Sequence, residues 1–273
     1  MLEAVRVTKH LAGTPALKGV DFLLERGQVH GLAGVDGAGK STLVKVLTGV
    51  YQPDQGLLFH KGEPVRFKGT QDAQQRGIST VHQDARPAGA LSVSASLFRG
   101  REPRNRLGLV CSRHMHQAAS RLLESLGIFI DPRQELRSLS PDIQKMVAIA
   151  RAVNTDARIV IMDEPASSLE PSDIDTLFDV IRGLHERDVA VIYVSHQLDE
   201  LYQICNRITV LRDGEAVHTG LMSGISPAGL VAAMLGRRPD AVRRESLAAF
   251  TGKHEAARSS VLKAEKFFRH AHE

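Results

Sequence analysis

Apolar residues recur along this chain in two rhythms, and their alternation predicts an architecture. Short, mainly apolar runs bounded by turn residues occur at 29–33, 158–162 and 190–194, the pattern of strands buried on both faces. Further strands are predicted at 4–7, 19–24, 78–81 and 207–211, with strands and turns between 56 and 67, where Gly62 and Pro64 punctuate. Helical spacing governs Leu43, Val44, Val46 and Leu47, stopped by Gly49, and Met115, Ala118, Ala119, Leu122, Leu123 and Leu126, stopped by Gly127. It returns in Met146, Val147, Ile149, Ala150 and Val153, and in Ile174, Leu177, Ile181 and Leu184, while a short helix is predicted at 71–77. Strands alternating with helices predict an α/β fold, interrupted at about 84–154 by loops and helices that read as an insertion. Beyond Gly236 the periodicity ends and the sequence turns charged, as in a linker.

The first buried run leads into recognisable chemistry. Gly34-Val35-Asp36-Gly37-Ala38-Gly39-Lys40-Ser41-Thr42 fits G-x-x-x-x-G-K-[ST] between a strand and a helix, the setting in which this pattern binds phosphate. Its glycines let the backbone fold N–H groups around a di- or triphosphate, and the helix starting near Gly39 points its dipole at the same anions. Gly34, Asp36, Gly37, Ala38, Gly39, Lys40, Ser41 and Thr42 are therefore candidate nucleotide-binding residues. Lys40 would place a charge on the β and γ phosphates, and the Ser41 hydroxyl would bind Mg2+.

Two later strand ends supply what a phosphate loop lacks. The apolar run 159–162 ends in Asp163 and Glu164, on the sheet edge where the phosphate loop also ends. Asp163 is predicted to organise the metal shell, and Glu164 to polarise an attacking water, its acidic neighbour raising its proton affinity. Tyr193-Val194-Ser195-His196 closes another buried strand. From there His196 would reach the γ phosphate and hold Glu164 or the water in line.

Bulk properties exclude several classes. With 273 residues, 42% hydrophobic and 24% charged, the chain can bury the core of one large domain or two small ones. No apolar run approaches the roughly 20 residues of a membrane span, and the first residues have no secretory pattern, so a cytoplasmic location is predicted. Cys111 and Cys205 lack disulfide or zinc spacing, and the twelve histidines form no metal motif. The net charge of +4 belongs to residues 237–273, with nine Lys/Arg against five Asp/Glu. This tail reads as a solvated linker, and no nucleic-acid partner is expected.

The motif order resembles an ATP-binding cassette (ABC) ATPase domain over residues 1–240. In that resemblance 34–42 is Walker A, Gln83 the Q-loop, Leu139 onward the signature, 159–164 Walker B, Ser167-Ser168-Leu169-Glu170 the D-loop and His196 the switch histidine. It implies a P-loop NTPase with a RecA-like core, an N-terminal antiparallel β subdomain and an inserted α-helical subdomain at about 84–154. It also implies ATP and Mg2+ as cofactors, with Gln83 contacting the metal and linking to a transmembrane permease that docks on the helical subdomain. Ser140 would contact the ATP of a second cassette paired head to tail.

Finer segments resemble the ribose, galactose and xylose importers, whose ATPase subunit is two cassettes in one chain. They are Lys45-Val46-Leu47-Thr48-Gly49-Val50-Tyr51, Val81-His82-Gln83-Asp84, Leu97-Phe98-Arg99-Gly100-Arg101-Glu102 and Met234-Leu235-Gly236-Arg237. The resemblance implies a subunit on the inner face of the cell membrane that hydrolyses ATP to import a monosaccharide, delivered by an exported sugar-binding protein. In that family a second cassette follows such a Leu-Gly-Arg stretch. Residues 241–273 are then a charged linker in which Val261-Leu262-Lys263-Ala264-Glu265 either echoes the chain start, as a truncated second cassette, or matches it by coincidence. The alternatives are a soluble tandem-cassette ATPase acting on ribosomes or DNA, and a non-hydrolysing remnant.

Three departures stand out. The signature L-S-G-G-Q reads Leu139-Ser140-Pro141-Asp142-Ile143. Ser140 can still cap a helix and Pro141 suits its first turn, but Asp142 would oppose a γ phosphate by about 3 kcal/mol per unit charge at 5 Å before screening. The aromatic that usually stacks on adenine is replaced by Leu11, leaving His10 as the candidate. Glu170 stands where the D-loop has Asp.

Overall fold

A computed structural model describes residues 1–81, 91–106, 108–154, 157–167 and 169–238. Strands β1 (Leu2–Leu11) and β2 (Thr14–Leu24) form a hairpin, and β3 (Val29–Ala33) enters the interior ahead of helix α1 (Lys40–Leu47). β4 (Gln55–His60), β5 (Glu63–Val65), α2 (Thr70–Gln75) and β6 (Ile78–Val81) follow, then α3 (Val93–Leu97), α4 (Ser112–Ser125) and α5 (Pro141–Val153). The chain continues through β7 (Ile159–Asp163), α6 (Pro171–Glu186), β8 (Ala190–Val194) and α7 (Leu198–Ile204) to the hairpin of β9 (Arg207–Arg212) and β10 (Glu215–Leu221), and then α8 (Pro227–Leu235).

The strands form two sheets. One is antiparallel, in the order β2-β1-β4-β5. The other runs β10-β9-β3-β8-β7-β6 and is parallel except at its β10 edge. Its central strands β8 and β7 are apolar up to their last residues because both faces are covered. Val160, Met162, Val191 and Tyr193 point into a core shared with α4, α5 and α6. Their neighbours Ile159, Ile161, Ala190, Ile192 and Val194 point into a second core with α1 and the β1–β2 hairpin.

A buried polar pair, His30 and Thr209, lies deep in this sheet. The His30 ring, fully buried on β3, has Nε2 2.8 Å from Thr209 Oγ1 and Nδ1 3.3 Å from Gln28 Oε1. Burial, with nearby Arg207, pushes its pKa down to about 3, so the ring is neutral at physiological pH.

The α/β alternation, the buried strands and the 112–125, 141–153 and 171–186 helices agree with the apolar rhythm. β1 and β2 extend well past the predicted 4–7 and 19–24, because their remaining residues, mostly exposed or half-buried, satisfy backbone groups by pairing and so leave no apolar rhythm. The pattern did not announce β10, α3, α7 or α8. Gln83, Ser168 and residues 241–273 lie outside the described residues. Among the described residues no helix is long and apolar enough to cross a membrane, and Cys111 and Cys205 are free thiols.

Candidate active site

The loop between β3 and α1 is held by very close backbone packing. Gly34 has φ +153°, and a Cβ there would run into the Leu211 carbonyl; Gly39 has φ +105°, and a Cβ would lie 2.7 Å from the Ala16 carbonyl oxygen. Only glycine fits both the conformation and the approach. The Gly214 N–H donates to the Ala38 carbonyl at 3.1 Å and the Lys18 N–H to the Gly214 carbonyl at 2.8 Å, tying the loop to β2 and the β9–β10 turn.

Helix α1 then begins without a side-chain cap and without an acidic residue in its first turn. Its leading N–H groups, those of Ser41 and Thr42 among them, lack intrahelical acceptors by position and can donate to an anion. Lys40 is buried, its Nζ donating to the Gly34 and Val35 carbonyls at 2.7 and 3.0 Å. Burial lowers its pKa, and the carboxylates of Asp36, Glu164 and Asp163 oppose that shift. A glycine cradle, open helix donors and a buried cation together fit a polyphosphate.

Strand register brings the other predicted groups to the same edge. Leu32, Val194 and Asp163 are level across β3, β8 and β7, so the phosphate loop, Glu164 and His196 leave three adjacent strands at their C-terminal ends. Glu164 has φ +48°, a left-handed conformation unfavourable for a residue with a Cβ. Its N–H donates to the Val194 carbonyl at 3.0 Å, its carbonyl accepts from Lys145 Nζ at 3.1 Å, and its Oε1 lies 3.0 Å from His196 Nδ1. Asp36 joins this pair, and ligand-type atoms of the three residues lie within 4.8 Å of one another. Asp163, the last residue of β7, and Ser41, in the first turn of α1, are oxygen donors of the type Mg2+ takes.

Two residues missed by sequence reasoning support this cluster. Lys145, on α5, bonds the Glu164 carbonyl and also Ser167 Oγ at 3.0 Å. Its ammonium is pulled down by burial, against the carboxylates of Glu164, Asp142 and Glu200. Glu200, buried on α7, accepts from Ser195 Oγ at 2.7 Å and Tyr193 Oη at 2.9 Å, and Ser195 Oγ in turn accepts the Gln197 N–H at 3.0 Å. The residues flanking His196 are thus anchored beneath it. Burial raises the Glu200 pKa despite those bonds. The one available sequence signal was an acid four positions after His196, and spacing alone does not distinguish it from a solvated helix residue.

Ser140 is not part of this cluster. Its hydroxyl caps α5, accepting the Ile143 N–H at 3.4 Å, with Pro141 in the first turn. Among the described residues no hydrogen bond joins it to 34–42. Gln83 follows the end of β6 at Val81 and is outside the described residues. The half-exposed His10 ring sits 3.2 Å from Asp54 Oδ2, which also accepts the His10 N–H at 2.6 Å, while Lys9 Nζ lies 2.6 Å from Oδ1. Lys9, followed by the His10 N–H, holds the Asp54 carboxyl at about 2.

Comparison with known proteins decides the lineage. The ABC transporter family model matches residues 17–167, more than half of the chain. The chain belongs to the ABC transporter family. A ribose import ATP-binding protein of Lacticaseibacillus paracasei is 39% identical over 239 residues, covering 88% of this chain and 48% of that protein. A galactofuranose transporter ATP-binding protein of Escherichia coli is 42% identical over 240 residues, with the same coverage. This ABC chain therefore spans about half the length of the curated relatives it matches. Among solved structures, the ADP conformation of the cassette MJ1267 superposes with TM-score 0.73 at 20% identity, covering 89% of this chain and 98% of that one. A dimeric post-hydrolysis cassette, MJ0796 with ADP and Pi, gives 0.71 at 22% identity over 81% and 99%. These likenesses establish the ABC ATPase fold, with its parallel and antiparallel sheets.

Proposed function

We propose that this cassette binds and hydrolyses ATP to energise import of a monosaccharide through a separate membrane permease. The observation that carries the reading is the meeting of the phosphate loop, Glu164 and His196 on one sheet edge, with Glu164 Oε1 3.0 Å from His196 Nδ1. The sugar class rests on the relatives' names, ribose and galactofuranose import, which favour import over the ribosome- or DNA-directed alternative.

The phosphates of ATP lie along the 34–39 backbone and the first turn of α1, with Lys40 exchanging its loop carbonyl partners for β and γ oxygens. Ser41, Asp163 and Gln83 would hold Mg2+, which when bound would neutralise developing phosphate charge. Glu164 accepts a proton from the attacking water, and His196 fixes its carboxylate and offers a polar contact to the γ phosphate. The adenine rests near His10, whose ring is oriented by Asp54. Partners are a second cassette in head-to-tail contact, completed by Ser140, and a permease docked on the helical segment 84–154. An exported sugar-binding protein acts through that permease. The site resides at the inner face of the membrane.

The test is MgATP turnover by the chain, alone and with a second cassette bearing an intact signature, beside Glu164→Gln. Turnover that needs the partner and is lost in Glu164→Gln is expected. Turnover unaffected by Glu164→Gln refutes the assignment.

A further inference from the structure

Glu164 is held at its N–H, its carboxylate and its carbonyl, and the Lys145 anchor comes from outside the strand edge. Its N–H is held by β8 and its carboxylate by His196, but its carbonyl is held by Lys145, whose helix α5 begins at the altered signature. The same ammonium bonds Ser167 Oγ, and the Ser167 N–H donates to the Glu164 carbonyl at 3.3 Å. Lys145 thus closes the turn leaving β7 at both ends. A residue with a Cβ keeps φ near +48° only where its surroundings impose it, and an ammonium on the following carbonyl is such a constraint. With the N–H held on β8, a change in φ turns the carbonyl and the Cβ together about the N–Cα bond, so a carbonyl released from Lys145 lets the carboxylate swing away from His196.

We infer that Lys145 is a positioning residue for Glu164, clamping the 164–167 turn to α5 so that displacement of α5 is transmitted to the carboxylate that handles the attacking water. This rests on the proposed hydrolytic reading and adds regulation to the same site: the helix that would face the partner's nucleotide also sets the geometry of its own cassette. The ammonium is suited to the role because three carboxylates, of Glu164, Asp142 and Glu200, act on it in a half-buried position. A neutral side chain of equal length would fill the space without bonding the carbonyl.

The experiment compares Lys145→Met, which removes the donor, with Lys145→Arg and Lys145→Gln, which keep one, in the full chain. Hydrogen exchange of the Ala166 and Ser167 amides is read alongside kcat and KM for MgATP with the second cassette present. Lys145→Met is expected to exchange about tenfold faster at those amides and to lose about 10- to 100-fold in kcat at unchanged KM, while Lys145→Arg restores both to within about threefold. Unchanged exchange in Lys145→Met overturns the clamp. Faster exchange with unchanged kcat, or a KM that rises in step with the kcat loss, overturns the positioning role. If Lys145→Met fails to unfold cooperatively, Lys145→Leu serves as the donor-free variant under the same criteria, and for Lys145→Gln a kcat below half of wild type at wild-type exchange counts against the clamp. If the wild-type chain turns over no ATP, the proposed function falls, and the exchange measurement still decides whether the clamp exists.

Discussion

Helices α1 and α5 both open toward nucleotide in the proposed arrangement, and they open in opposite ways. α1 starts at Gly39 with no side-chain cap and no acid in its first turn, so its dipole and N–H groups stay available. α5 starts at Ser140, whose hydroxyl occupies the Ile143 N–H, continues with Pro141, which has no N–H, and carries Asp142 in its first turn. One device for binding anions is therefore kept in the phosphate loop and closed at the signature. In a head-to-tail pair these two ends would serve different ATP molecules, so one composite site inherits the intact half of this chain and the other inherits the closed half.

Substitutions can break or sharpen that contrast. The largest effect is expected from Lys40→Ala, with turnover falling about 1000-fold or more and ATP affinity about 100-fold by equilibrium titration; a variant retaining a tenth of the activity would remove the distinction between the two helix starts. Glu164→Gln should lower kcat about 100- to 1000-fold while fluorescent-nucleotide binding stays within threefold. At the closed end, the double change Pro141→Gly and Asp142→Gly should raise single-turnover hydrolysis at the site facing α5 by about tenfold, and no gain would mean that the substituted signature is not what weakens that site.

The smallest expected effect concerns β3, which carries the phosphate loop. His30 takes up a proton at about 6.5 when unfolded but only at about 3 when folded. Its contribution to stability is therefore complete above pH 6.5 and is lost as pH falls toward 3. Urea unfolding should show about 1 kcal/mol less stability at pH 5.5 than at pH 6.5 from this group, and His30→Asn should flatten that slope.

The parts of the site that were legible in the sequence share a physical reason: a strand buried on both faces must be apolar, so the residue where it becomes polar is conspicuous. That marks Gly34, Asp163 and His196 and the order of their strands. β10 escaped because an edge strand with most residues exposed or half-exposed shows no alternation, and α3 because five residues carry too little periodicity. Lys145 and Glu200 escaped for another reason. Their roles depend on where a long side chain ends, 19 residues away from Glu164 in one case, and at the bottom of the Ser195 turn in the other. Neither end point is encoded in local spacing.

The left-handed backbone at Glu164 sets stability and activity against each other at a single torsion angle. Glycine would relieve about 1 kcal/mol or more there, so a library of this cassette selected only for heat resistance should drift toward Glu164→Gly and lose the carboxylate in the same step. Libraries bred for robustness need a turnover screen at this codon, whatever freedom the remaining 272 positions allow.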